Sequence, residues 1–447
     1  MRRFDFPLLI GHRRAEDPAR GGDVSLLIRI RAFLLFLGCA AFAAGYSYVA
    51  IRGYRAFALS TEGSESALKQ SIALEPRNAA AYDLLCRRLR DAASDPVAAL
   101  PYCRESVRLN RYDSENWLDL AETLYETGDP QEQRKAIEQA LAVDPKTPQV
   151  AWNAANFYLL QGEVEPAVGL FAAVLKGDPS LSTLTLKTSW RVLGKVDPIL
   201  RMLPPNPDVY LQLVGLMVAE NQREAAAQVW SRLIGLNTEI DYHTALFYIE
   251  NLLGWKQIDA AEKAWQQLGE RSPAFKAYQR SEQNLIVNGS FENEVLNAGF
   301  GWRINPQGTA ISVDDETVKD GRRSVLISYS APVLDAGLSQ LVPVKPNTSY
   351  TVSAWIKTED LQTANGPRLA AFDAFSGASF GASEPTSYTT EWRVVQTEFT
   401  TGRDTKLVSL RLSRDRQDTV IRGRLWIDDV DLHQSAEPQG KVLKDGQ

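Results

Sequence analysis

Carboxylate pairs are the first residues to weigh for chemistry: Asp314-Asp315, Glu359-Asp360 and Asp428-Asp429 each set two acids side by side. A glycosidase needs two carboxylates facing each other across a cleft, and neighbours on one turn or strand end cannot do that. Gly377-Ala378-Ser379-Phe380-Gly381 has the letters of a nucleophile elbow but no strand-to-helix context, so it reads as a surface loop. There is no phosphate loop and no His-Glu-x-x-His helix. His12, His243 and His433, like Cys39, Cys86 and Cys103, are scattered without the spacing of a zinc site. Together these patterns point away from an enzyme.

A second kind of chemistry is sugar recognition, which uses an aromatic face flanked by planar hydrogen-bonding groups. Trp355 shares the polar parity of its segment with Thr351, Ser353 and Lys357, opposite Tyr350, Val352, Ala354 and Ile356. It is therefore expected on the open face of a strand, against the competing reading of a core tryptophan. Arg411, on the polar side of its own strand, is expected to share that face, with Tyr388 and Phe375 on nearby loops. Trp302, Trp392 and Trp426 read as core or sheet-end packing.

These residues need elements to position them. The 447-residue chain carries a net charge of −6, and that acidic balance argues against a nucleic-acid partner. Ala32–Ile51 is a run of 20 residues without a charge, long enough as a helix to cross roughly 30 Å of hydrocarbon. Arg2, Arg3, Arg13, Arg14, Arg20, Arg29 and Arg31 precede it, against Arg52 and Arg55 after it. This asymmetry predicts a cytoplasmic tail over 1–31, a membrane anchor over 32–51, and export of everything beyond. The alternatives are a cleaved signal peptide or a lipoprotein site at Cys39. The 31 residues before the apolar run, and its continuation past Cys39, favour an uncleaved anchor.

The next segment repeats. Ser71–Tyr82, Ser106–Trp117 and Leu141–Trp152 align, and Pro76, Arg111, Pro145 and Pro179 are spaced 35, 34 and 34 apart. Each unit has two apolar helical stripes. One pair is Trp117, Leu120, Ala121 and Leu124, then Gly128, then Ile137, Ala140 and Leu141. Another is Trp152, Ala155 and Tyr158, then Gly162, then Ala167, Phe171, Val174 and Leu175. The pattern resembles the tetratricopeptide repeat, whose units must stack because none buries its apolar face alone. It continues in weaker form through Trp230 and Trp265, predicting one helical solenoid over 60–282, with a bend or join at Pro198, Pro204, Pro205 and Pro207. Cys86 and Cys103 fall on opposite helices of one hairpin, either as a disulfide in an oxidising compartment or as two buried thiols.

From Asn284 the period becomes two, with turns at Asn-Gly, Pro-Asn, Asp-Gly and Arg-Gly, predicting an antiparallel β-sandwich over 283–435. Asn284–Glu292 with Gly301-Trp302, Pro346–Lys357 and Leu425–Leu432 resemble the opening, central and closing strands of carbohydrate-binding modules of families 4 and 9. That resemblance implies a galactose-binding-like jelly roll. It also implies a structural calcium ion held by Glu292 and Asp428, with backbone carbonyls near Ser290 and Asp320 completing the six to eight oxygens calcium takes. The competing reading is that Asp428 and Asp429 satisfy a strand end. Residues 436–447 are expected to form a disordered tail.

The fold class expected is thus a transmembrane helix, an α-helical solenoid and a β-sandwich. The function expected is a non-enzymatic scaffold of the cell envelope. Its solenoid recruits a protein partner and its sandwich binds a polysaccharide, in exopolysaccharide biosynthesis or export. The alternative is a pure protein–protein assembly factor with the sandwich as spacer.

Overall fold

The structure, a computed structural model, describes residues 21–416 and 420–435, with side chains from residue 28 onward. Most of the basic tail expected over 1–31 and the tail expected over 436–447 lie outside the described residues. The chain divides into two compact units at Asp178/Pro179.

The first unit opens with one 42-residue helix, α1 (Gly21–Glu62), long and apolar enough to cross a membrane. Then come α2 (Glu65–Leu74), α3 (Ala79–Arg87, prolonged by a π turn to Ala92), α4 (Pro96–Leu109), α5 (Ser114–Thr127), α6 (Pro130–Val143), α7 (Pro148–Leu160) and α8 (Val164–Gly177). The caps explain the punctuation. Ser64, Asn78, Asp95 and Asp129 each accept a hydrogen bond from the backbone N–H three residues on, and Pro96 and Pro130 occupy first-turn positions where a missing N–H costs nothing. Gly128 ends α5 at φ 80°, a left-handed conformation that lets Asp129 cap α6 at once.

The solenoid begins earlier than its expected boundary at residue 60. α1 does not stop at Ile51: Ala56 is buried, Ser71 donates from Oγ to the Ala56 carbonyl at 2.8 Å, and the Ser60 and Ser71 hydroxyls meet at 2.8 Å. Arg52 donates to the Leu74 carbonyl. The end of α1 is thus the first partner of α2. Neither helix buries its apolar stripe alone, so the end of α1 is drawn into the first hairpin.

The second unit starts with α9 (Ser182–Leu193), α10 (Val196–Met202), α11 (Pro207–Ala219), α12 (Arg223–Gly235), α13 (Tyr242–Gly254) and α14 (Ile258–Arg271). The proline cluster does not divide the chain. Pro198 lies within α10 and Pro207 opens α11, where proline is compatible with a helix, and the division falls before both.

Ten strands follow among the described residues: β1 (Trp302–Ile304), β2 (Thr309–Asp314), β3 (Ser324–Tyr329), β4 (Asp335–Pro343), β5 (Ser349–Gln362), β6 (Arg368–Asp373), β7 (Ser379–Ala382), β8 (Tyr388–Thr400), β9 (Leu407–Ser413) and β10 (Arg422–Gln434). They form two antiparallel five-stranded sheets, ordered β1-β4-β9-β6-β7 and β2-β3-β10-β5-β8. The alternation in the sequence holds: Tyr350, Val352, Ala354 and Ile356 of β5 and Val408, Leu410 and Leu412 of β9 are buried between the sheets with Trp302 and Phe291. Each of the valine, leucine, isoleucine and phenylalanine side chains among them contributes about 1.5–3 kcal/mol.

The last helices and the sandwich share this unit. The Trp265 ring of α14 lies 5.4 Å edge-on from Phe300, and its indole N–H donates to the Tyr278 carbonyl at 3.0 Å. Arg303 of β1 grips Glu250 of α13 through both terminal nitrogens, at 2.7 and 3.1 Å.

Candidate functional site

Within the first unit, α5 and α7 with the ends of α3 and α6 enclose a groove of about 420 Å³. Its floor is apolar, from Leu118, Ala121, Ile137 and Phe157, and Tyr125 and Leu160 stand exposed on its lining. The amides of Gln149, Asn153 and Asn156 line it from α7. One end is charged. Arg87 donates from Nε to Asp83 Oδ2 at 2.9 Å and sits 3.3 Å from Asp119. Arg90, only 5% exposed, pairs with Asp91, Asp119 and Glu122 at 2.7, 3.1 and 3.0 Å. Burial, reinforced by the negative charge of Asp83, pushes the Asp119 carboxyl up to about 6 despite Arg87 and Arg90. These groove residues were not legible in the sequence. The repeat pattern identifies the helices, but which polar positions face one groove depends on how successive pairs stack.

Cys86 and Cys103, on α3 and α4, are brought together as a disulfide with their Cα atoms 5.2 Å apart, within the range a bridge requires. Both are fully buried, and the Thr123 hydroxyl of α5 lies 3.2 Å from Cys103 Sγ.

On the sandwich, Trp355 is half-buried on the outer face of the β2-β3-β10-β5-β8 sheet, opposite Asp428 on one side and Val394 on the other. The Lys319 ammonium sits 4.2 Å from the centre of its ring. Lys357, next outward on the same strand, pairs with Glu391 at 2.9 Å. Arg411 does not share this face. It lies on β9 in the other sheet, over the Phe372 ring at 4.0 Å and paired with Asp335 at 3.1 Å. Strand parity tells inside from outside but not which sheet a strand joins, and the crossovers put β5 and β9 in different sheets. Phe375 occupies the β6–β7 turn, its ring 4.9 Å from the Lys256 ammonium. Tyr388 is 76% exposed at the start of β8, opposite Leu361. Six residues of β8 separate it from Val394 and the Trp355 row, roughly 20 Å. The four residues expected to line one site are therefore spread over two sheets and a turn.

Trp426 shows what parity misses. It faces outward, opposite Lys357, yet is 3% exposed because its indole N–H donates to Asp314 Oδ2 at 2.7 Å and Arg424 covers its ring. Lys319, the cation on Trp355, comes from a loop 36 residues upstream, and nothing in the linear pattern links the two.

Glu292 and Asp428 converge on the same turn. Glu292 Oε1 accepts from the backbone N–H groups of Arg322 and Arg323 at 2.6 and 3.0 Å, and these bonds hold its carboxyl below the usual range. Asp428 is fully buried. Its Oδ2 accepts from Lys319 and Asp320 at 2.9 and 3.3 Å, and its Oδ1 from Asp429 at 2.7 Å. Burial raises its carboxyl despite these donors. Three of the four oxygens thus face N–H groups, and no group of three or more metal-ligating side chains exists among the described residues. As arranged, this donor set does not fit calcium, which needs oxygens turned toward the ion.

Comparison with known proteins bears on both units. Residues 92–151 match the family model for the tetratricopeptide repeat, and residues 283–417 match that for a carbohydrate binding domain. No curated protein matches the chain. Among solved structures, one described as "CBM4 structure and function" is 18% identical, over 34% of this chain and 99% of that one, at a TM-score of 0.27. A crystal structure of MamA protein is 14% identical, over 42% and 91%, at 0.28. The CBM22-1 xylan-binding domain from Paenibacillus barcinonensis Xyn10C is 15% identical, over 35% and 99%, at 0.26. The chain combines tetratricopeptide repeats with a domain similar to carbohydrate-binding modules.

Proposed function

We propose that this chain is a membrane-anchored, non-enzymatic binding protein of the bacterial envelope. Its repeats hold a protein partner, and its sandwich binds an exported polysaccharide in exopolysaccharide assembly or export. The observation that carries the reading is the pairing of a repeat groove with a carbohydrate-binding-module-like sandwich behind one apolar N-terminal helix. The helix supports an anchor at residues 32–51, with the N-terminus in the cytoplasm and both binding units outside it. Trp355 is half-buried on the outer sheet face with the Lys319 ammonium over its ring, and a sugar that stacks on this indole takes the place of Lys319.

A second reading, with the sandwich as a spacer, is favoured by one observation: Trp355, Arg411, Phe375 and Tyr388 do not converge. A polysaccharide array probed with the full chain in lipid nanodiscs separates the two. The expected result is retention on at least one polysaccharide, weakened about tenfold by Trp355→Ala, as loss of an aromatic stacking partner predicts. No retention on any polysaccharide would leave the spacer reading.

A further inference from the structure

The charged end of the repeat groove is short of positive charge. Of the charged cluster around Arg87 and Arg90, the groove itself is lined by Glu115, Asp119 and Glu122 against Arg87 alone, while Asp83, Asp91 and Arg90 lie behind it. One oxygen of Asp83, a side chain 97% removed from solvent, meets no N–H donor among the described residues and faces the Asp119 carboxyl instead. Burial first, and the charge of Asp83 second, raise the Asp119 carboxyl despite both arginines. Arg90 is already shared by three carboxylates, so it has no capacity to spare. Glu115 and Glu122 remain exposed at the groove wall. Beside them the apolar floor runs on to Tyr125 and Leu160, exposed by 59% and 69%. A lining with surplus carboxylate at one end and open apolar surface beside it is complementary to a segment that carries a cation next to apolar side chains.

Resting on the reading that the repeats hold a protein partner, we infer that the partner docks through a basic, amphipathic segment. Its lysine or arginine meets Asp119, Glu115 and Glu122, and an apolar side chain packs on Tyr125 and Leu160. The incoming cation supplies the charge that Arg87 and Arg90 leave missing. Gln149 and Asn153 of α7 line the groove beside the segment, while Asn156 donates to the Trp152 carbonyl of its own helix.

Selection from a random peptide library on the full chain in nanodiscs tests this. Binding of the enriched peptides is then measured on two variants, Glu115→Lys and the pair Tyr125→Ser/Leu160→Ser, with circular dichroism checking that each keeps its helices. The expected result is enrichment of net-basic peptides with apolar residues, weakened about tenfold or more by either variant. Neutral or acidic peptides that lose binding only in the Tyr125/Leu160 pair would overturn the basic partner while leaving the groove reading intact. Peptides indifferent to both variants, or no enrichment, would overturn both.

Discussion

Cys86 and Cys103 illustrate what a single pair of residues decides. Both lie in the buried layer between α3 and α4, against Thr123 of the next helix, where polar thiols gain nothing from water. A bridge there closes a loop of 17 residues, which in the chain-entropy account stabilises by about 3 kcal/mol. Intact mass of the native protein should therefore be lower by two hydrogens than after reduction, and Cys86→Ser/Cys103→Ser should lower the melting temperature of the repeat unit. Two free thiols in the native protein would count against both the bridge and the proposed oxidising location. Asp119 belongs to this scale too. Its identity as an acid is plain from the sequence, but its shift to about 6 exists only because two helices bury it beside Asp83.

At the scale of elements, the turn over residues 319–323 is the joint between the opening segment and the closing strand. Glu292 and Asp428 hold it by accepting backbone N–H groups, the task the family resemblance gives to calcium. Replacing the buried Asp428 by Ala leaves the N–H groups of Lys319 and Asp320 without their charged acceptor and should cost about 1.5–3 kcal/mol in chemical denaturation. The melting temperature of the wild-type chain should be the same in chelator as in added calcium. A rise of several degrees with calcium would restore the ion. The alternation of β5 and β9 was legible because burial between two sheets imposes period two on any strand. The error over Arg411 has the same origin, for period two is blind to the partner strand. The solenoid's start was misplaced because hydropathy marks where a membrane span ends, not where its helix does.

For the whole molecule, the boundary that matters is not the one between helices and strands. The last helix pair and the sandwich pack together through Trp265, Phe300, Tyr278 and the Glu250–Arg303 pair. Gly299 is the tightest point. It sits at φ +58°, its N–H donates to Glu250, and a Cβ there would come within 2.3 Å of the Trp265 ring. Gly299→Ala should therefore destabilise α14 and the sandwich together, read as one cooperative unfolding step at a lower temperature by circular dichroism in the helical and tryptophan regions. If the sandwich alone softened while the helices kept their midpoint, the shared packing would be refuted. It also follows that ligand experiments should keep the helices of the second unit attached.

The sequence by itself determined the inventory: an apolar helix of spanning length, repeats of 34 to 35 residues, and a two-period β domain with carbohydrate-binding-module-like edges. Each is a local property, because hydrophobic period, capping residues and turn residues act within a few positions along the chain. Tertiary structure alone decided which surfaces those elements share. It placed Trp355 and Arg411 on opposite sheets, set Lys319 on an indole, and gathered carboxylates from α3 and α5 around two arginines. These outcomes depend on strand order and helix stacking. Both are settled by the burial of faces far apart in the chain, and no window along the sequence contains them.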